Sequence, residues 1–203
     1  MTSEVRRVPA GAAVLRGDVT DAIQSALVEE LAAVGYGRLS IEAVARRAGV
    51  GKTAVYRRWD SKLAMVLEVV SAVASPGLAL PDMGSLVADL EALLRFAGRA
   101  LRHPLASQII PDLLAEAARN EQIATTLHET LAGYEHAIGV LLVERAVSRG
   151  ELAGDVPADL AVDLVIGPLY WRLAIARSKL PDKQIKTMAA ACAAALAAAA
   201  GAR

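Results

Sequence analysis

The sequence predicts an all-α protein of about nine helices, with a small three-helix helix-turn-helix unit near the N-terminus and a larger helical bundle after it. Three observations carry this. Apolar residues recur at spacings of three and four through most of the chain, no strand-like alternation persists, and SPGLALPD at 75–82 breaks the pattern between two helical stretches. No internal repeat is visible.

Residues 1–17, MTSEVRRVPAGAAVLRG, contain Pro9, Gly11, Gly17 and three Arg without sustained periodicity, and are expected to form a flexible N-terminal arm. A first helix follows from about Val19 to Val34. Asp18 or Thr20 is its cap, Ile23, Leu27 and Leu31 form its apolar stripe, and Gly35 stops it. The stretch from Ser40 to Lys62, SIEAVARRAGVGKTAVYRRWDSK, then gives two short helices around a glycine turn. Ser40 caps the first, with Ile41, Val44, Ala45 and Ala48 buried. Gly49 supplies the positive φ of the turn, Val50 plugs the angle, and the second helix runs from Lys52 to Arg58 with Val55 and Trp59 inward. Asp60 is expected to cap a fourth helix from Ser61 to Ala74, with Leu63, Val66, Leu67 and Val70 inward.

Beyond the break, a fifth helix spans about Gly84 to Leu101 and ends at the HP pair 103–104. A sixth, Leu105 to Arg119, contains Pro111, which implies a kink or restart, and Asn120 marks a turn. The seventh, Glu121 to Arg149, carries Leu127, Leu131, Tyr134, Ile138, Leu141 and Leu142 inside and stops at Gly150. The eighth starts near Pro157 and reaches about Arg177, with a bend expected at Gly167-Pro168. The last presents Ile185, Met188, Cys192 and Leu196 on one face, dotted with Ala and suited to close packing against another helix.

Composition bounds the function. The 203 residues are 55% hydrophobic, ample for a sizeable core. One Cys excludes an intramolecular disulfide, and with no cationic-then-apolar leader it points to a reducing cytoplasm. The most apolar run, 188–202, is short and nearly all Ala, below what a bilayer demands. Formal net charge is zero, yet Arg38 to Lys62 holds seven cations against two acids, a local +5 that leaves −5 for the rest. A basic module on an acidic body favours phosphate contact through one end.

Other chemistries lack their parts. GKT at 51–53 resembles the end of a phosphate-binding loop, but Arg46 stands where that loop needs its first Gly and no strand precedes it. His103, His128 and His136 have no metal-ligand spacing, and nothing places a nucleophile beside a base. No catalytic residue, metal or cofactor is expected, and the chain is not read as an enzyme. In the helix-turn-helix, the second helix enters a major groove with its N-terminal residues toward base edges. Lys52 and Thr53 are therefore the expected base readers, since Lys donates to guanine acceptors and Thr offers a hydroxyl and a methyl. Tyr56, Arg58 and Lys62 are expected to hold phosphates, Arg57 adds charge, and Ser40 offers a hydroxyl.

The run from Val34 to Lys62, with GY at 35–36, S-x-x-x-V-A-x-x-A-G-V at 40–50 and Y-R-R-W-D-S-K at 56–62, resembles the DNA-binding domain of TetR-family transcriptional regulators. RGEL at 149–152 and DVPADLAVDLVIGPLYWRL at 155–173 are similar to the ligand-binding and dimerisation domain of one TetR subgroup. Gly51 stands where many members place a capping Ser, Val44 replaces a commoner Ile and Trp59 a commoner Phe. Only Gly51 bears on function, shifting hydroxyl contacts to Thr53 and Ser40.

The resemblance implies a DNA-binding domain over 18–62 and a ligand-binding and dimerisation domain over 63–203. It implies a dimeric repressor of a palindromic site, released by a small, largely hydrophobic molecule that favours a conformer with the fourth helix swung. Phe96, Gln108, His128, Tyr134, Tyr170 and Trp171 are the expected pocket residues, aromatic or polar groups on mainly apolar helices. Leu164, Ile185, Met188, Cys192 and Leu196 are the expected dimer seam. The expected partners are thus double-stranded DNA, a small-molecule effector and a second copy of the chain, with no membrane. An activator or ligand-independent DNA-binding factor is the alternative, and a helical small-molecule-binding protein or enzyme lies further off.

Overall fold

Every regular element among the residues described by the computed structural model, 11–74, 80–153 and 156–201, is helical. The chain divides into two units, Met1–Val69 and Val70–Arg203. The division falls later than the expected 62/63 because the fourth helix is shared.

The first unit contains α1 (Gly11–Arg38), α2 (Ile41–Arg47), α3 (Lys52–Tyr56) and the start of α4 (Lys62–Ala74). Residues 1–10 of the expected arm lie outside the described residues, whereas 11–17 are already helical. Gly17 costs a helix about 1 kcal/mol relative to Ala, but Ala12, Ala13, Leu15 and Arg16 are strong helix formers. Asp18 and Thr20, expected caps, therefore sit inside the helix. Gly35, at φ 72° and ψ 172°, breaks helical geometry where the stop was expected. Ile23, Leu27, Leu31, Val44, Val55, Met65 and Val66 are fully buried. Glu68 closes the unit by accepting Gln24 Nε2 at 2.7 Å and Trp59 Nε1 at 2.6 Å, which explains why α4 stays with this unit through Val69. Ser61, not Asp60, caps α4: its Oγ accepts the Ala64 N–H at 3.0 Å.

The second unit comprises the end of α4, then α5 (Leu86–Arg102), α6 (Pro104–Ala117), α7 (Glu121–Ser148), α8 (Ala158–Tyr170), a π-helical turn (Trp171–Ile175) and α9 (Asp182–Ala200). α9 packs on α5 and α8, and α7 packs on α6 and α8. Their shared core includes Leu90, Leu94, Leu142, Val165, Leu169, Ala189 and Leu196. Of the expected inward residues of α7, Leu127 and Leu142 are buried, while Leu131, Tyr134, Ile138 and Leu141 are half-buried.

The RGEL stretch has a structural role. Gly150, at φ 71°, ends α7 with the Glu151 N–H on the Ala146 carbonyl and the Gly150 N–H on that of Val147. Arg149 then reaches Asp82 and Asp89 at 2.8 Å each, and Glu151 accepts the Leu86 N–H at 2.8 Å. Asp89, the buried acid of this network, also accepts the Met83 N–H. The Leu86 N–H, followed by Arg149, holds the Glu151 carboxyl below its ordinary range.

Of the two internal prolines, Pro111 departs from the expected kink or restart. α6 runs unbroken through Pro111. After Pro168 the chain changes from α to π register, with the Ala176 N–H on the Trp171 carbonyl. Proline has no N–H for the carbonyl four residues earlier. At Leu164 that carbonyl is met instead by the Cys192 thiol at 3.2 Å.

Cys192 is thereby bonded within its own chain, and the expected dimer seam needs correction at its buried members. Ile185, Cys192 and Leu196 are buried in the unit's own core, while Leu164 and Met188 are half-buried against it. Spacings of three and four mark a buried face but do not say whether the same chain or another one buries it. The exposed side of α9 is instead Ala190, Ala191, Ala194, Ala197 and Ala198.

Candidate nucleic-acid interface and ligand cavity

The turn between α2 and α3 sets the presentation of α3. Ser40 Oγ accepts the Ala43 N–H at 3.1 Å to start α2. Gly49, at φ 68°, ends it with the Val50 N–H on the Ala45 carbonyl and its own N–H on that of Arg46. Val55 and Trp59 anchor α3 in the core. One face then remains for solvent, carrying Lys52, Thr53, Tyr56 and Arg57, with Tyr56 44% exposed.

Among these, Lys52 pairs with Glu42 of α2 and lies 5.4 Å from the centre of the Tyr56 ring. Glu42 raises the Lys52 pKa, and Lys52 lowers that of Glu42, so the ammonium is fully charged. Gly51 caps α3 through backbone alone, and a Cβ there would meet nothing within 4 Å. A serine would fit.

The remaining expected contacts are tied into the unit. Arg58 is half-buried, donating to Thr20 Oγ1 at 2.7 Å and the Ala54 carbonyl at 3.3 Å. Lys62 donates to the Tyr36 carbonyl at 3.0 Å and lies 4.3 Å from that ring's centre. Arg47 bridges to Glu30 at 2.8 Å and Glu29 at 3.2 Å, whereas Arg46 points to solvent. Ser40 is occupied as a cap. Their partners lie up to 38 residues away in sequence, which local reading does not reveal.

In the second unit, a cavity of about 340 Å³ is lined by Leu101 of α5, Ala106, Ser107, Ile110 and Pro111 of α6, and Tyr170, Leu173, Ala174 and Arg177 beyond. Of the six expected pocket residues only Tyr170 lines it. Phe96 and Tyr134 are half-buried elsewhere, Gln108 and His128 are exposed, and Trp171 is 64% exposed. The cavity walls are mostly aliphatic, with Tyr170 the aromatic group among them. Both internal prolines lie at or just before cavity segments. Among the described residues, no group of three or more His, Cys, Asp or Glu is arranged to hold a metal, and no helix is long and apolar enough to cross a membrane.

A buried-backed recognition helix in a three-helix head, followed by a helical body with a cavity, defines a helix-turn-helix transcriptional regulator. Residues 23–69 match the N-terminal domain of bacterial regulatory proteins of the tetR family, and residues 80–192 match the tetracyclin repressor-like C-terminal domain. The chain belongs to the TetR family of DNA-binding transcriptional regulators. It is 30% identical to the DNA-binding transcriptional repressor TetR of Mycobacteroides abscessus, over 80% of this chain and 86% of that one. It is 25% identical to the HTH-type transcriptional regulator YdeS of Bacillus subtilis, over 82% and 84% respectively. The crystal structure of the TetR family transcription regulator SCO0332 superposes with a TM-score of 0.69 at 29% identity, covering 87% of this chain and 97% of that one.

Proposed function

We propose that this regulator represses transcription as a homodimer on a palindromic DNA site and is released when a small, largely hydrophobic molecule enters the cavity beside Tyr170. The observation that carries the DNA half is the α3 face of Lys52, Thr53, Tyr56 and Arg57, held outward by Val55 and Trp59. Lys52 and Thr53 lie at the N-terminal end of α3, the end that meets base edges in this motif, and Tyr56 and Arg57 follow for the backbone. Repression is supported by the likeness to the Mycobacteroides abscessus repressor. Release is supported by a cavity at the lower end of the size range of small-molecule sites.

Dimerisation is assigned to the exposed Ala190, Ala191, Ala194, Ala197 and Ala198 side of α9, together with α8, because small side chains permit close helix approach. Ala194→Glu would place a charge in that seam while leaving the core side of α9 untouched. Sedimentation should then show monomers, and an unchanged dimer would put the seam elsewhere.

The central test is a fluorescence anisotropy titration on duplex DNA from the region upstream of the gene. Lys52→Ala and Tyr56→Ala should each weaken binding roughly 5- to 100-fold, the range of one good contact. Wild-type affinity in both variants would overturn the recognition-helix assignment.

A further inference from the structure

The cavity in the second unit has one chemical asymmetry. Leu101, Ala106, Ile110, Pro111, Leu173 and Ala174 make an apolar wall, and Arg177 is the single charged residue lining it. Two further polar groups are present. Ser107 Oγ already donates to the Pro104 carbonyl at 2.9 Å, which leaves its oxygen as an acceptor, and the half-buried Tyr170 carries a phenol whose ionisation is opposed by burial.

Arg177 is held in an unusual way. It is the non-glycine residue with positive φ among those described, at 48°. The turn around it is fixed by the Ala176 N–H on the Trp171 carbonyl and the Ser178 N–H on the Arg172 carbonyl, at 2.8 and 2.9 Å. Arginine rarely adopts this conformation, and such strain persists only where the surroundings impose it. Among the described residues its guanidinium makes no ion pair or hydrogen bond. A bidentate cationic donor is therefore placed at the exposed rim of an apolar cavity with no partner among the described residues.

We infer that the cavity takes a compact amphipathic carboxylate, its apolar body against α5 and α6 and its anionic head on Arg177 with Tyr170 donating beside it. This rests on the effector reading above and sharpens it. A cavity of about 340 Å³, at the lower end of small-molecule sites, suits a small ligand such as a short aryl-alkanoic or medium-chain acid.

The test uses full-length protein and two matched probes, 4-phenylbutyrate and its neutral amide, in calorimetric titrations at neutral pH and low salt. The acid should bind roughly ten- to a hundredfold more tightly than the amide, the range of a charge-assisted contact. Arg177→Gln should bring the two to parity without weakening the amide, and Arg177→Lys should restore part of the preference. Ala174→Phe, which fills the cavity, should abolish both. Equal affinities in the wild type, a preference that survives Arg177→Gln, or binding of neither probe would overturn the inference. A parallel DNA titration separates it from the effector reading. Acid that binds through Arg177 but leaves DNA affinity unchanged upholds the anion site and removes its regulatory role. Release of DNA by the amide as readily as by the acid removes the anion site and leaves regulation standing.

Discussion

At the scale of single residues, the head spends much of its positive charge on itself. Lys52 lies on the exposed face of α3 yet is paired with Glu42, so on the proposed reading a phosphate or base must compete with that carboxylate. Glu42→Gln should therefore raise DNA affinity severalfold, measured by anisotropy, and a decrease would mean Glu42 itself orders α3. The pair is exposed, which keeps its effect on folding small. Trp59 carries a different lesson. Where relatives are expected to hold Phe, its indole N–H joins Glu68, so Trp59→Phe should cost about 1.5–3 kcal/mol in urea denaturation, the worth of one hydrogen bond to a charged group. Gly51→Ser should fold normally, because a Cβ there has open space.

At the scale of elements, close approach and charge networks decide how the body is assembled. A Cβ on Gly139 of α7 would lie 2.1 Å from the Ala158 carbonyl oxygen at the start of α8, backbone against backbone. Gly139→Ala should thus destabilise by about 3 kcal/mol in thermal or urea melts, at the upper end of overpacking costs, whereas Gly133→Ala, with open space on the same helix, should not. The α7–α5 connection adds a pH dependence. Glu151 is held below its ordinary range in the folded chain, so the folded state favours its ionised form. Its stabilisation is complete above the unfolded carboxylate pKa and fades as pH falls through the lowered folded one. The melting temperature should drop on acidification, and Glu151→Gln should shrink that drop.

At the scale of the whole molecule, the tally of basic residues overstates what reaches DNA. Seven cations lie between Arg38 and Lys62, but Arg47, Arg58 and Lys62 are bonded to Glu29 and Glu30, Thr20, and Tyr36, and Arg38 donates to the Val34 carbonyl of its own helix. With Lys52 paired to Glu42, Arg46 and Arg57 remain, four phosphate partners on the proposed dimer. At about 0.9 per neutralised phosphate, log affinity against log salt should fall with a slope near −4, whereas engagement of all fourteen cations would give about −13. The helical fold, the turn at Gly49 and the inward placement of Val55 and Trp59 were legible in the chain because they are local: capping, periodicity and glycine's freedom act over a few residues. The same holds for the face of α3 and for the stop at Gly35. What only the tertiary structure decided was which partner each group met. Ile185, Cys192 and Leu196, expected at a seam between copies, are covered by their own unit, cations of the head are bonded to residues 17 to 38 positions away, and the cavity formed where two proline-bearing segments meet. Periodicity specifies that a face is buried, and distance-dependent forces between remote residues choose what buries it.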